Sequence, residues 1–163
     1  MSATRVLLVA GALLVLGAVN YSIVGKERIK RNGEVIFLDL APVDPRSLMQ
    51  GDYMTLRFRL AADIQSSLRR NAAGDKPREG EQRLADVNLD SRRVASLARL
   101  GTPTHRLRYR IRQDAVWIGT NAFFFEEGSE QRYARARFGE FRLDKDTGEA
   151  VLVGLRDANL SPL

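Results

Sequence analysis

The sequence predicts a mainly β domain, an antiparallel sandwich or small barrel with one or two short helices, behind a single N-terminal transmembrane helix. Three observations lead there. A run without charge opens the chain from Val6 to Val24. Short segments of alternating polarity then recur along the rest of it, with Gly-, Pro- and Asn-containing turns between them. Segments this short and this regularly spaced favour a sheet closed on itself or packed on a second sheet.

The apolar run has close to the ~20 residues that a helix needs to cross a bilayer. Arg5 flanks one end, and Lys26, Arg28, Lys30 and Arg31 flank the other. A cleaved signal peptide would have to be cut at Ala18-Val19-Asn20, where asparagine suits the site poorly. The apolar run also continues past it through Tyr21, Ile23 and Val24. The expected organisation is therefore an uncleaved anchor over 1–25 and one β-rich domain over 26–163, single-pass in a bacterial inner membrane. Orientation signals conflict. The excess of Lys and Arg after the span favours a cytoplasmic domain, whereas a five-residue tail with its own arginine suits a signal anchor that leaves the domain outside.

Asn32-Gly33 is a turn signal, and Val35 to Leu40 reads as the first strand. Pro42 and Pro45 stop it, since they fix φ and lack an amide donor. Asp44-Pro45 then reads as a helix cap with proline at the first helical position, and Gly51 as the residue that closes that single turn. From there the period is two: Met54, Leu56, Phe58 and Leu60 face the core, while Tyr53, Thr55, Arg57 and Arg59 face away. A short helix is expected over 64–70 and a polar loop over 71–81. Strands are expected over 83–89 and 93–100, on either side of the Asp90-Ser91-Arg92-Arg93 turn.

His105 to Arg112 shows the cleanest alternation, with Leu107, Tyr109 and Ile111 on one side and four arginines on the other. A strand over 115–119 follows the Gln113-Asp114 turn. Phe123 to Phe125 reads as buried on both sides, and 129–137 as a short helix centred on Tyr133. Phe138 to Asp144 and Glu149 to Leu155 form a hairpin across Lys145-Asp146-Thr147-Gly148.

The stretch Gly51-Asp52-Tyr53-x-x-Leu56-x-Phe58 resembles the signature of the GDYXXLXY family, a set of uncharacterised bacterial membrane proteins. Phe58 stands where the signature has tyrosine. Pro42 to Arg46, Asn121 to Gly128, Arg137 to Arg142 and Leu152 to Asp157 are also similar to that family. The resemblance implies a domain outside the cytoplasm, hence periplasmic, and it carries no assigned activity.

Net charge is +6, and of 26 basic residues only Lys26, Lys30, Lys76 and Lys145 are lysines. A basic surface suits nucleic acid, anionic lipid or an acidic partner. Acids interspersed with the arginines, and the lack of a recognition motif, weigh against nucleic acid, and no nucleic-acid partner is expected. With no cysteine, disulfides, Cys-based metal sites and a cysteine nucleophile are excluded as well.

Three sets of residues are candidates for chemistry. Asp44, Arg46, Gly51, Asp52, Tyr53 and Leu56 form the motif, and its carboxylates and phenol could bind a polar ligand or act on an envelope substrate. Caps, a turn glycine and core-facing alternation explain nearly all of these residues without a ligand. Ser47 lacks the nearby strand lysine that a serine nucleophile of the Ser-Lys type requires. Arg106, Arg108, Arg110 and Arg112 could hold phosphate head groups; the alternative is a solvated strand face whose arginines meet acids across the sheet. His105 is the sole histidine and shares the Leu107 face, and Asp144 to Glu149 is a hairpin turn lacking a calcium loop's ligand set. No catalytic residue, metal or cofactor is expected. The expected function is a non-enzymatic envelope accessory or binding module acting with an integral-membrane protein partner. An enzyme using Asp44, Asp52 and Tyr53, or a peripheral binder of anionic lipid, are the alternatives.

Overall fold

The computed structural model describes residues 3–41, 49–50, 53–70, 77–98 and 102–163. Helix α1 (Ala3–Asn32) opens the chain, and its stretch Leu7–Asn32 is long and apolar enough to cross a membrane. Leu7, Leu13, Leu14, Tyr21 and Val24 all stand exposed on it. Asn20 inside the apolar run donates its side-chain amide to the Leu16 carbonyl at 2.9 Å, so its polar group is satisfied within the helix. The helix runs past 25, the end expected for the anchor, and stops where Gly33 donates its amide to the Ile29 carbonyl at 2.7 Å. A Cβ on Gly33 would lie 2.5 Å from that same carbonyl, so glycine makes the sharp exit into the first strand possible.

The domain is built from antiparallel sheets curled into a half-barrel. One sheet has the order β1-β9-β10, with β1 Glu34–Asp39, β9 Phe138–Leu143 and β10 Ala150–Arg156. A second has the order β5-β4-β6-β7, with β4 Gln82–Leu89, β5 Ala95–Leu97, β6 His105–Arg112 and β7 Ala115–Trp117. The third, β2-β3-β8, joins Met49–Gln50, Tyr53–Thr55 and Ala122–Phe124. Helices α2 (Arg59–Arg70) and α3 (Glu130–Tyr133) complete the described elements.

Inward-facing side chains fill one core. Ile36, Leu38, Val87, Leu107, Phe141, Leu143 and Leu155 are all fully buried, drawn from β1, β4, β6, β9 and β10. Phe58 meets Phe141 edge-on, with ring centroids 5.3 Å apart. Two local contacts tie the two larger sheets together. Phe37 of β1 bridges in parallel to Val94, just before β5, and the β9–β10 turn seats on β6, where Arg108 donates its amide to the Gly148 carbonyl at 2.7 Å.

Several expected elements differ from those observed. The strand after the motif ends at Thr55, and the helix begins at Arg59 instead of residue 64. Leu60 therefore reaches the core from a helix, beside Ile64 one turn on. The run Phe123 to Phe125 alternates instead of burying both faces. Phe124 is 74 % exposed, while Phe123 and Phe125 close on Tyr133 at 5.1 and 5.2 Å. The helix around Tyr133 covers only Glu130–Tyr133, and the strand after Asp114 stops at Trp117.

Candidate functional site

The motif carries a buried half and an outward half. Asp44, Arg46, Ser47, Gly51 and Asp52 lie outside the described residues. Leu56 is 3 % exposed and Phe58 4 %, so both are core residues with no surface to offer a ligand. Leu56 is also fixed by its backbone, its amide donating to the Asn121 carbonyl at 2.6 Å. Tyr53 pairs with Phe124 across β3 and β8, and the two rings lie 5.7 Å apart. That half of the signature is accounted for by packing.

The arginine face is a different matter, because the sheet register separates its members. Arg106 lies opposite Asp86, as expected for a solvated strand face. Arg108 lies opposite Leu84. Arg110 sits between Gln82 of β4 and Trp117 of β7, and residues directly opposite share one face of a sheet. Arg112 stacks its guanidinium over the Trp117 ring, 5.4 Å from the centroid. Neither Arg108 nor Arg110 thus has a carboxylate opposite it.

Two elements outside that sheet complete the surroundings. Arg108 donates one guanidinium nitrogen to the Thr147 carbonyl at 2.8 Å, in the β9–β10 turn. Gly148 has φ of 71°, and a Cβ there would lie 3.0 Å from the Arg106 carbonyl and 2.7 Å from a Leu84 methyl. Only glycine lets the turn approach β6 this closely. The other element is the end of α1, where Lys26 forms an ion pair with Glu149 and Ile29, on the same helix face, is buried.

Between these parts lies a polar cleft of about 260 Å³, lined by Lys26, Gln82, Arg108, Arg110, Trp117 and Glu149 among others. Of the lining residues only Glu149 is acidic, against three cations. In the sequence Lys26 reads merely as one of four basic residues after the span. Its helical phase, three residues before the buried Ile29 and seven before Gly33, is the signal that could have turned it toward the domain.

A second charged cluster sits at the other end of β6. Glu34 accepts from His105 Nε2 at 2.9 Å, from Arg93 at 2.9 Å and from Lys145 at 2.8 Å. These partners come from three different segments, so the carboxylate ties β6, the β4–β5 turn and the β9–β10 turn to β1. Its Lys145 hydrogen bond, against an opposing burial cost and aided by His105, holds the Glu34 carboxyl below the usual glutamate range. His105 has the structural role expected of it, its Nδ1 also lying 3.0 Å from Thr104 Oγ1. Among the described residues no group of three His, Cys, Asp or Glu is placed to hold a metal ion.

Fold and surface together define a class: a β half-barrel docked on the end of a long apolar helix, with a basic cleft at the junction. The GDYXXLXY protein family matches this chain over residues 15–155, and the chain belongs to that family. No curated protein and no solved structure matches it.

Proposed function

We propose that this chain is a single-pass, membrane-anchored binding module of the bacterial envelope that works with an integral-membrane partner and is not an enzyme. The observation that carries this reading is the junction of helix and domain. Helix α1 continues without a break from its apolar run to Asn32. Its last turns are held to the domain through the buried Ile29, the tight Gly33 exit and the Lys26–Glu149 ion pair. A domain on a flexible tether would sample a large volume; one docked on its own anchor stays beside the bilayer, where a membrane partner presents its surface.

Purification of the tagged full chain in a gentle detergent tests this reading, with a stoichiometric integral-membrane protein as the expected companion. Recovery of the chain alone would contradict it. Compartment is tested with Ser91→Cys, an exposed turn position in a chain without native cysteine. Labelling of intact cells by a membrane-impermeant thiol reagent is the expected result for a periplasmic domain. Labelling only after permeabilisation would place the domain inside.

A further inference from the structure

We propose that the cleft between the first turn of α1 beyond the apolar run and the Arg108–Arg110 stretch of β6 binds the phosphate of an anionic phospholipid head group. The inference goes beyond the partner reading above, and it rests on the part of that reading in which α1 spans the membrane.

Position is the first argument. Lys26 follows Val24 by two residues, a rise of only about 3 Å along a helix. A cleft that includes Lys26 therefore opens at the level of the head groups whenever Val6 to Val24 occupies the hydrocarbon. Composition is the second. Arg108 and Arg110 come from one strand and Lys26 from another element, and Glu149, the acid on the cleft lining, is already paired with Lys26. Across the sheet Arg108 faces Leu84 and Arg110 faces Gln82 and Trp117, so no carboxylate opposite them competes for their donors. Arg106, which does face Asp86, is the internal contrast.

Chemistry is the third argument. Guanidinium groups present forked N–H donors that fit a phosphate's oxygens, and the ammonium adds a compact charge. The Gln82 amide and the Trp117 indole N–H are neutral donors on the same lining. With one carboxylate against three cations, the excess of two positive charges suits a phosphodiester better than a zwitterion. At about 260 Å³ the cleft falls just under the ~300 Å³ where small-molecule pockets begin. One head group fits such a volume. Tryptophan beside the cations matches the usual preference of that side chain for the bilayer interface.

The chain reports on this site by itself, because Trp117 is its single tryptophan. The full chain, held in phosphatidylcholine nanodiscs, is titrated with short-chain phosphatidylglycerol, short-chain phosphatidylcholine or inorganic phosphate while Trp117 emission is followed. The expected result is a saturable change with phosphatidylglycerol alone. Lys26→Gln combined with Arg110→Gln should raise the half-saturating concentration about tenfold or more, the loss of one or two charge-assisted hydrogen bonds. Arg106→Gln should stay within about twofold, as for an ordinary exposed charge. If the double variant does not fold, Arg110→Lys, which keeps the charge but loses the fork, should still weaken binding.

Equal responses to both lipids, or a phosphatidylglycerol response that the cleft variants leave unchanged, would overturn the proposal. Equal saturation by inorganic phosphate would make the cleft a free-anion site and overturn the lipid assignment. A chain that enters the discs but shows no saturable response sinks the cleft and leaves the anchor standing. One that is released from membranes by carbonate sinks both.

Discussion

At the scale of single residues, buried charge is where this domain is most vulnerable. Glu140 is the buried polar side chain of the described core, 6 % exposed, and Arg156 Nε donates to it at 2.6 Å from the neighbouring strand. Removing one partner of a buried pair leaves an uncompensated charge, which costs several kcal/mol. Arg156→Ala should lower stability by roughly 3 kcal/mol, the low end of that range, since Arg142 remains 4.0 Å from the other oxygen. Denaturant unfolding of the domain measures it. An unchanged midpoint would show that the pair contributes little.

Glu34 makes a prediction with pH. Its folded-state carboxyl is a stronger acid than the ordinary glutamate value of 4.5, chiefly through the Lys145 hydrogen bond. The folded state therefore binds fewer protons there than the unfolded chain does, and stability rises with pH through this window. The stabilisation is fully present above about 4.5 and is lost as pH falls through the lower folded value. Melting temperature followed between pH 7 and pH 3 should fall less steeply in Glu34→Gln than in the parent, although the variant starts lower. Parallel curves would mean that other carboxylates dominate acid unfolding.

Single elements were legible in the sequence to different degrees, for physical reasons. Strand β6 stands where alternation places it, because four arginines cannot be buried and three apolar residues must be. Phe58 and Leu60 share the strand's apolar parity, yet a helix begins between them at Arg59. Residues two apart satisfy a period of two, and a helix entered at that point carries Leu60 to the same core, so parity could not separate the two. Phe123 to Phe125 misled in the opposite direction. Hydrophobicity alone suggested burial, but β8 lies at the edge of its sheet, where the outward Phe124 has no layer to cover it. The candidate site was half legible. The arginines were visible in the alternation, whereas which of them lack an opposing acid depends on register with β4, and Lys26 joins them only through the docking of α1.

Turns supply two further predictions at this scale. Gln113 and Asp114 both have positive φ, 51° and 56°, the signature of a two-residue turn that favours Asn-Gly. Replacing the pair by Asn-Gly should stabilise the domain by about 1 kcal/mol, because glycine at 114 carries no left-handed penalty and asparagine at 113 tolerates that conformation better than glutamine. The partners that hold the turn would survive, since Gln113 N donates to Glu79 and Asp114 O accepts from Gln65 through the backbone. Gly148→Ala should act the other way, costing on the order of 2 kcal/mol from its positive φ and its approach to β6. If Gly148→Ala proved neutral in thermal unfolding, the seating of the β9–β10 turn on β6 would be wrong.

At the scale of the whole molecule, a helix that enters the domain and is packed there makes the long apolar helix and the domain one mechanical unit. Lys26, Ile29 and Gly33 act as the clasp, and Lys26 also lines the basic cleft. The most direct measurement is the depth of Trp117, the single tryptophan, in nanodiscs. Its fluorescence is compared under three quenchers: head-group-labelled lipid, lipid labelled at the acyl-chain end, and aqueous iodide. A domain docked on α1 beside the bilayer predicts strong quenching by head-group label, weak quenching by the chain-end label and partial protection from iodide. Full access to iodide with no quenching by either lipid would mean that the domain stands away from the membrane, and the clasp would not exist.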